Sequence, residues 1–232
     1  MASESDRTSI QAFHMRPPAA WELYAYGLAR TLVHSANRAF WRIKVIGAEK
    51  LPSGPYILAP VHRSNLDTLL VASLTTRRLR YMGKDAIWKY KLSGAILSAL
   101  GGFPVHRGSA DREAMRRCNL VLKGGEPLVL FPEGTRKSGP TVEGLFEGAA
   151  YIAIKGNVPI VPVGIGGSER AWGKSMKLPR FTKIVVIVGD PIYPETNGGG
   201  RVSRSSLMKL SGELTSKLQD LFDQAQAMLG LQ

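Results

Sequence analysis

The sequence predicts an α/β fold: a single layered αβα domain on a mainly parallel, roughly seven-stranded sheet, with an amphipathic helix ahead of it. Three observations point there. Short apolar runs alternate with helical patterns along the chain, the order that strand–helix crossovers produce. Several runs, among them VPIVPVGI and KIVVIVG, are nearly unbroken in Val, Ile and Leu, as strands covered on both faces are. The chain has 232 residues, 44% hydrophobic and 21% charged, enough for a buried core without disulfides.

Taken in order, residues 1–15 carry no basic stretch leading into an apolar one, so a secretory signal is not expected. Pro17 and Pro18 then introduce a helix, Trp21 to Trp41, in which Trp21, Tyr24, Leu28, Leu32, Ser35 and Phe40 recur at mostly three- and four-residue steps. Two Trp, two Tyr and several basic residues suit a helix lying in a membrane interface, or equally one packed on the protein's own core. Glu22, Arg30 and Arg38 interrupt it, and the uncharged stretch Leu92–Val105 is short of the roughly 20 residues a span needs, so no transmembrane helix is expected.

Strands are expected at 41–47, 56–60, 79–83, 102–106, 128–132, 160–165 and 183–189, and helices at 65–75, 86–100, 109–123 and 145–155. Ser109 is a suitable N-cap for the third of these helices, with Asp111 in its first turn and Gly124 and Gly125 at its end. Thr196–Ser206 reads as a Gly/Ser linker. A last helix follows, with Leu207, Leu210, Leu214, Leu218, Leu221, Ala225 and Met228 on one face, docked on the body. The division is therefore 1–40 for a polar tail and amphipathic helix, 41–195 for the main domain, and 196–232 for linker and final helix.

Lys and Arg total 31 against 18 Asp and Glu, a net charge of +13 that calls for anionic partners. Nucleic acid is not expected, because no known binding motif is present and the cations are widely spread. Gly173-Lys174-Ser175 is not a P-loop, since Ser168 stands where glycine is required. The single Cys118 excludes an intrachain disulfide and a Cys-based metal cage, and it falls within a helix as a packing residue. His14, His34 and His106 show no ligand spacing, so no metal is expected.

His62 and Asp67 lie five residues apart just after the apolar run PYILAP. Five residues of ideal helix turn through about 500°, leaving two side chains about 140° apart. They can meet only if His62 lies on the loop before a helix and Asp67 in its first turns, with Ser64 or Asn65 as cap. An Asp on one ring nitrogen fixes the tautomer and leaves Nε2 to take a proton. A second block, Leu130-Phe131-Pro132-Glu133-Gly134-Thr135-Arg136, also follows an apolar run. Strand ends of this kind collect ligands in α/β sheets, and Arg136 offers a fork matched to phosphate. A third, Gly101 to Gly108, carries Arg107 beside an expected helix start. The fourth is the strand Val158-Pro159-Ile160-Val161-Pro162-Val163.

These four blocks, in this order, resemble the glycerolipid acyltransferase family of the bacterial lysophosphatidate acyltransferase type. The pattern is His-x4-Asp (HX4D), Gly-x5-Arg, Phe-Pro-Glu-Gly-Thr-Arg and Val-Pro-x-x-Pro-Val, spanning about 55–163, and Phe146-Glu147-Gly148-Ala149 also resembles a family segment. The chain departs from common family usage at His106, where Asp is frequent, and at Glu147, where Lys is frequent. The resemblance implies a fatty acyl transfer from an acyl thioester, of CoA or acyl-carrier protein, to a hydroxyl of lysophosphatidate, with no bound cofactor. It makes His62 the general base and Asp67 its partner. Arg107 and Arg136 become the phosphate-holding residues, and Glu133, Gly134 and Thr135 part of the same substrate-binding block. It also implies a peripheral protein on the cytoplasmic face of the cell membrane, meeting an anionic surface. Other acceptors (glycerol 3-phosphate, another lysophospholipid or a glycolipid) and a non-catalytic lipid-binding role are the alternatives. Leu92–Val105 reads as an acyl-chain groove or as core. The basic runs Arg77–Lys91 and Arg170–Lys183 read as sites for lipid headgroups or donor phosphates, or as solvated surface.

Overall fold

The apolar runs form the seven strands of one sheet in the computed structural model, which describes residues 18–84, 88–105, 112–195 and 202–231. In chain order the elements are α1 (Ala20–Trp41), β1 (Lys44–Ile46), β2 (Ile57–Pro60), α2 (Asp67–Val71), β3 (Arg80–Lys84), α3 (Lys91–Ala99), β4 (Gly102–Val105), α4 (Arg112–Lys123), β5 (Leu128–Val129), α5 (Gly148–Gly156), β6 (Ile160–Gly166), α6 (Ser168–Trp172), β7 (Val185–Val188) and α7 (Arg204–Ala227). Spatial order is β1-β7-β6-β2-β5-β3-β4. All neighbours are parallel except β6 and β7. As a result β6, β2, β5, β3 and β4 deliver their carboxyl ends to one edge. That edge is where the motifs fall.

Two groups of helices surround the sheet: α5 contacts both α4 and α7, and α1 contacts both α2 and α3. Residues of β2 and β6 are wholly buried, the physical counterpart of their unbroken apolar sequence. The closest approach is between β6 and α7. A Cβ on Gly164 would lie 2.4 Å from the carbonyl carbon of Leu221, and one on Gly166 would lie 2.5 Å from that of Ala225. Helix backbone thus rests directly on strand backbone, a contact no side chain can yield to. Gly164→Ala is expected to lower unfolding stability by about 3 kcal/mol, the upper end for overpacking, read from urea denaturation.

Several expectations change. The helix expected at 65–75 is only Asp67–Val71: no side chain caps it, and Ser64 Oγ and Asn65 N donate to Trp172 O. Past Val71 the chain continues in tighter turns, Ser73 N on Leu70 O and Leu74 N on Val71 O. The expected linker 196–206 is partly helical: α7 starts at Arg204, with Ser203 Oγ accepting from Ser206 N at 3.0 Å, and residues 196–201 lie outside the described residues. Its buried face is Leu210, Leu214, Leu218, Phe222 and Ala225, so Phe222 joins the expected stripe while Met228 stays exposed. Ser109 and Asp111 also lie outside the described residues. Within Leu92–Val105, Phe103, Val105 and Ala99 are core while Ile96 is exposed, so most of what is described there packs inward.

The expected stripe of α1 faces away from the protein. Trp21, Tyr24, Leu28, Leu32, Ser35 and Phe40 are all exposed. The buried residues are Glu22, Tyr26, Asn37 and Trp41, and polar bonds hold them. Glu22 accepts from Ala19 N at 2.8 Å, and Tyr26 Oη accepts from Leu79 N at 3.0 Å. Asn37 Nδ2 donates to Leu69 O at 2.9 Å, and Trp41 Nε1 to Arg180 O at 3.0 Å. Among the described residues no helix is long and apolar enough to cross a membrane.

Candidate active site

The turn His62–Leu66 leaves the carboxyl end of β2 and wraps around one carboxylate. Asp67, the first residue of α2, is fully buried, and its Oδ2 accepts from Arg63 N and Ser64 N, both at 2.7 Å. The same oxygen lies 3.0 Å from His62 Nδ1. An ionised carboxylate only accepts, so Nδ1 carries the proton and Nε2 holds the lone pair. Nε2 makes no hydrogen bond among the described residues, and the His62 side chain is 19% accessible. Its ring stacks on Phe131 at a centroid distance of 4.1 Å. A basic nitrogen of fixed tautomer therefore faces outward from an otherwise buried arrangement.

The turn after β5 locks this one in place. Glu133 Oε2 accepts from His62 N at 2.7 Å, and Lys137 N donates to His62 O at 2.8 Å, so both main-chain groups of His62 are held. Glu133 Oε1 accepts from Arg63 Nη1 at 2.8 Å, while Arg63 Nη2 donates to Thr141 O at 2.8 Å. Both side chains of this ion pair are fully buried, and the guanidinium lies 5.1 Å from the Phe222 ring centroid of α7. Burial pushes the Glu133 carboxyl above the ordinary carboxylate range, with the His62 N–H and Arg63 pulling it partly back.

Gly134 has φ +66, and a Cβ there would lie 2.4 Å from the Phe146 ring. Glycine makes this turn without strain and leaves room for that ring. A third segment clamps the turn from the other side. Trp172 O, at the end of α6, accepts from Asn65 N at 3.0 Å and from Ser64 Oγ at 2.9 Å, and Ser64 pairs with Gly173 in an antiparallel bridge.

The fold thus brings His62, Asp67, Glu133, Gly134, Thr135 and Arg136 to one edge. Arg136 is half-buried and donates through Nη1 to Asn65 Oδ1; its guanidinium makes no other bond among the described residues. Thr135 and Gly134 are exposed. Glu133, expected as part of the substrate-binding block, points its carboxylate inward, where it holds His62 N and Arg63. Arg107 and His106 lie outside the described residues, although β4 ends at the same sheet edge.

From sequence alone Arg63, Phe131 and Trp172 have no individual role and Asn65 is expected only as a helix cap, whereas in the structure Asn65 positions Arg136. Arg63 and Glu133 sit in turns after two strands whose adjacency the sequence does not give. The basic run Arg77–Lys91 also needs correcting as an anion surface, because three of its cations are used internally. Arg77 donates to the carbonyls of Pro52, Gly54 and Gly125. Arg78 bonds Ser98 O, and Arg80 bonds Gly101 O and Glu126.

The family profile described as Acyltransferase matches residues 42–166, which takes in β1 through β6 and both turns just described. The chain belongs to the Acyltransferase family. Among curated relatives of this acyltransferase-family chain, a Bacillus subtilis 1-acyl-sn-glycerol-3-phosphate acyltransferase is 28% identical over 77% of this chain and 87% of that protein. A chloroplastic enzyme of the same name from Arabidopsis thaliana is 30% identical over 66% of this chain, but only 44% of its own length is covered. Among solved structures, the 1-acyl-sn-glycerophosphate acyltransferase PlsC from Thermotoga maritima shares the fold with a TM-score of 0.68 at 22% identity, covering 92% of this chain and 86% of that one. The family match stops short of α7 and begins after α1, so the two helices that flank the acyltransferase core are features of the wider chain.

Proposed function

We propose that this protein transfers a fatty acyl group from an acyl thioester of CoA or carrier protein to the free hydroxyl of lysophosphatidate, giving phosphatidate. The observation that carries the reading is the outward-facing Nε2 of His62, with Nδ1 tied to buried Asp67, beside the Phe131–Arg136 turn in a chain whose relatives bear that activity's name.

His62 Nε2 takes the proton of the acceptor hydroxyl as its oxygen attacks the thioester carbonyl carbon. Asp67 stabilises the imidazolium so formed. The C–S bond then breaks, and the leaving sulfur takes that proton, so that ester and thiol are the products. Thiolates are good leaving groups, so one base suffices and no acyl-enzyme is required. The guanidinium of Arg136, positioned through Asn65, binds the acceptor's phosphate together with Arg107. The outward apolar stripe of α1 lies in the interface of an anionic membrane, holding the enzyme peripherally at the cytoplasmic face where its substrates reside.

Radiolabelled acyl-CoA and acyl-carrier protein, offered with lysophosphatidate, other lysophospholipids, a glycolipid and glycerol 3-phosphate, test the assignment. Labelled phosphatidate is the expected product; labelling of another acceptor alone would reassign the head group. The absence of an acyl-enzyme has its own check. Cys118 is fully buried in α4 and its thiol is pushed up to about 12 by burial. Cys118→Ala is expected to keep the wild-type rate, and native protein to resist alkylation by iodoacetamide at neutral pH.

A further inference from the structure

The segment between α6 and β7, Gly173–Lys183, carries Lys174, Lys177, Arg180 and Lys183 and no acidic residue. All four cations are exposed, and none of their side chains makes an ion pair or hydrogen bond among the described residues. Between them stand Leu178 and Phe181, 77% and 73% exposed. Large apolar side chains on a surface are ordinary when scattered, but here two are interleaved with four unpaired cations on a loop of fixed shape.

The shape is fixed by its own bonds. Gly173 O accepts from Met176 N at 3.1 Å, Trp172 Nε1 donates to Met176 O at 3.1 Å, and Arg180 N donates to Ala171 O at 2.7 Å. Two contacts join the loop to the end of α1: Trp41 Nε1 on Arg180 O, and the Phe181 ring stacked on Phe40 at 5.3 Å. A third joins it to the site, because its first residue, Gly173, pairs with Ser64, two residues from His62.

We infer that the loop Gly173–Lys183 is a second lipid-contacting element: Leu178 and Phe181 enter the interface of an anionic bilayer while Lys174, Lys177, Arg180 and Lys183 meet lipid phosphates. Working with α1, it sets the height of the His62 turn above the lipid. The inference rests on the membrane reading of α1 proposed above. An acidic protein would also complement the four cations. A bilayer is favoured because the Phe40–Phe181 stack makes the loop's apolar surface continuous with the exposed end of α1, a larger surface than the loop alone offers.

The test measures cosedimentation of the full chain with vesicles of phosphatidylcholine alone or mixed equally with phosphatidylglycerol. Two variants are compared with wild type, Leu178→Ser/Phe181→Ser and Lys174→Gln/Lys177→Gln/Lys183→Gln. From the usual contribution of a basic residue at an anionic surface, the triple variant is expected to bind mixed vesicles about a hundredfold more weakly at low salt. The double variant should lose affinity for both kinds of vesicle. Each should keep the wild-type thermal midpoint and the wild-type rate on short-chain substrates below their micelle concentration, since none of the changed residues touches the site. Wild type bound and both variants bound equally would overturn the loop's role while leaving that of α1 standing. Wild type unbound would overturn the membrane reading and this inference together. Variants that bind vesicles normally but lose rate only with the carrier-protein donor would assign the loop to an acidic protein and overturn the lipid proposal.

Discussion

Replacing His62 by alanine is expected to reduce acyl transfer by about 10³-fold, within the usual range for losing a general base. The protein should remain folded. His62 is accessible on its ring, and Asp67 keeps the two backbone donors, Arg63 N and Ser64 N, that satisfy its Oδ2. Unlike a structural loss, the defect should lie in kcat, with acceptor and donor affinities retained. Asp67→Asn should show a defect of the same kind, since the amide oxygen held by Arg63 N and Ser64 N still faces Nδ1 but carries no charge to stabilise the imidazolium. A His62→Ala protein that melts normally and retains more than about a tenth of the wild-type rate would remove the imidazole from the base role.

Arg63→Ala is expected to have the largest effect on stability. The mutation leaves the Glu133 carboxylate in a fully buried position without its cation, a situation that costs about 3–5 kcal/mol. For a chain of this size that corresponds to a fall in melting temperature of roughly 10 °C. The pH dependence has a definite sign. Burial already raises the folded-state pKa of Glu133, so its contribution is fully present below the unfolded-state carboxyl pKa and is lost as pH rises through the folded value. Without Arg63 the folded value rises further, so the stability gap between wild type and Arg63→Ala should widen from acid to neutral pH. Adding Glu133→Gln to Arg63→Ala should recover part of the loss, because no buried charge is then uncompensated. If Arg63→Ala melted like wild type at neutral pH, the ion pair would not be what holds the two turns together.

What could be read from the sequence, and what could not, follows from the kind of signal involved. The strands at 56–60 and 160–165 were legible because burial on both faces demands unbroken apolar sequence. The meeting of His62 with Asp67 was legible because helical geometry left only one arrangement, a loop His and a first-turn Asp, and that is the arrangement found. The direction of α1 was not. Periodicity defines a stripe but not which way it turns, and here polar bonds through Tyr26, Asn37 and Trp41 draw the other side inward. Arg63 was hidden for a related reason. Composition rules place arginine outside, and its burial depends on Glu133, 70 positions away in sequence but one strand away in space. Arg77, Arg78 and Arg80 look identical in sequence to the free cations of 174–183. They differ in having main-chain carbonyls and the Glu126 carboxylate within reach.

The backbone-on-backbone contact of α7 with Gly164 and Gly166 has a consequence for how the chain is made. On a ribosome, β6 emerges well before the helix that covers it, and β1 waits longer still for its partner β7. Pairings so distant in sequence form late. The nascent sheet is therefore expected to stay incomplete, with apolar strand surface open to chaperones, until α7 has cleared the exit tunnel.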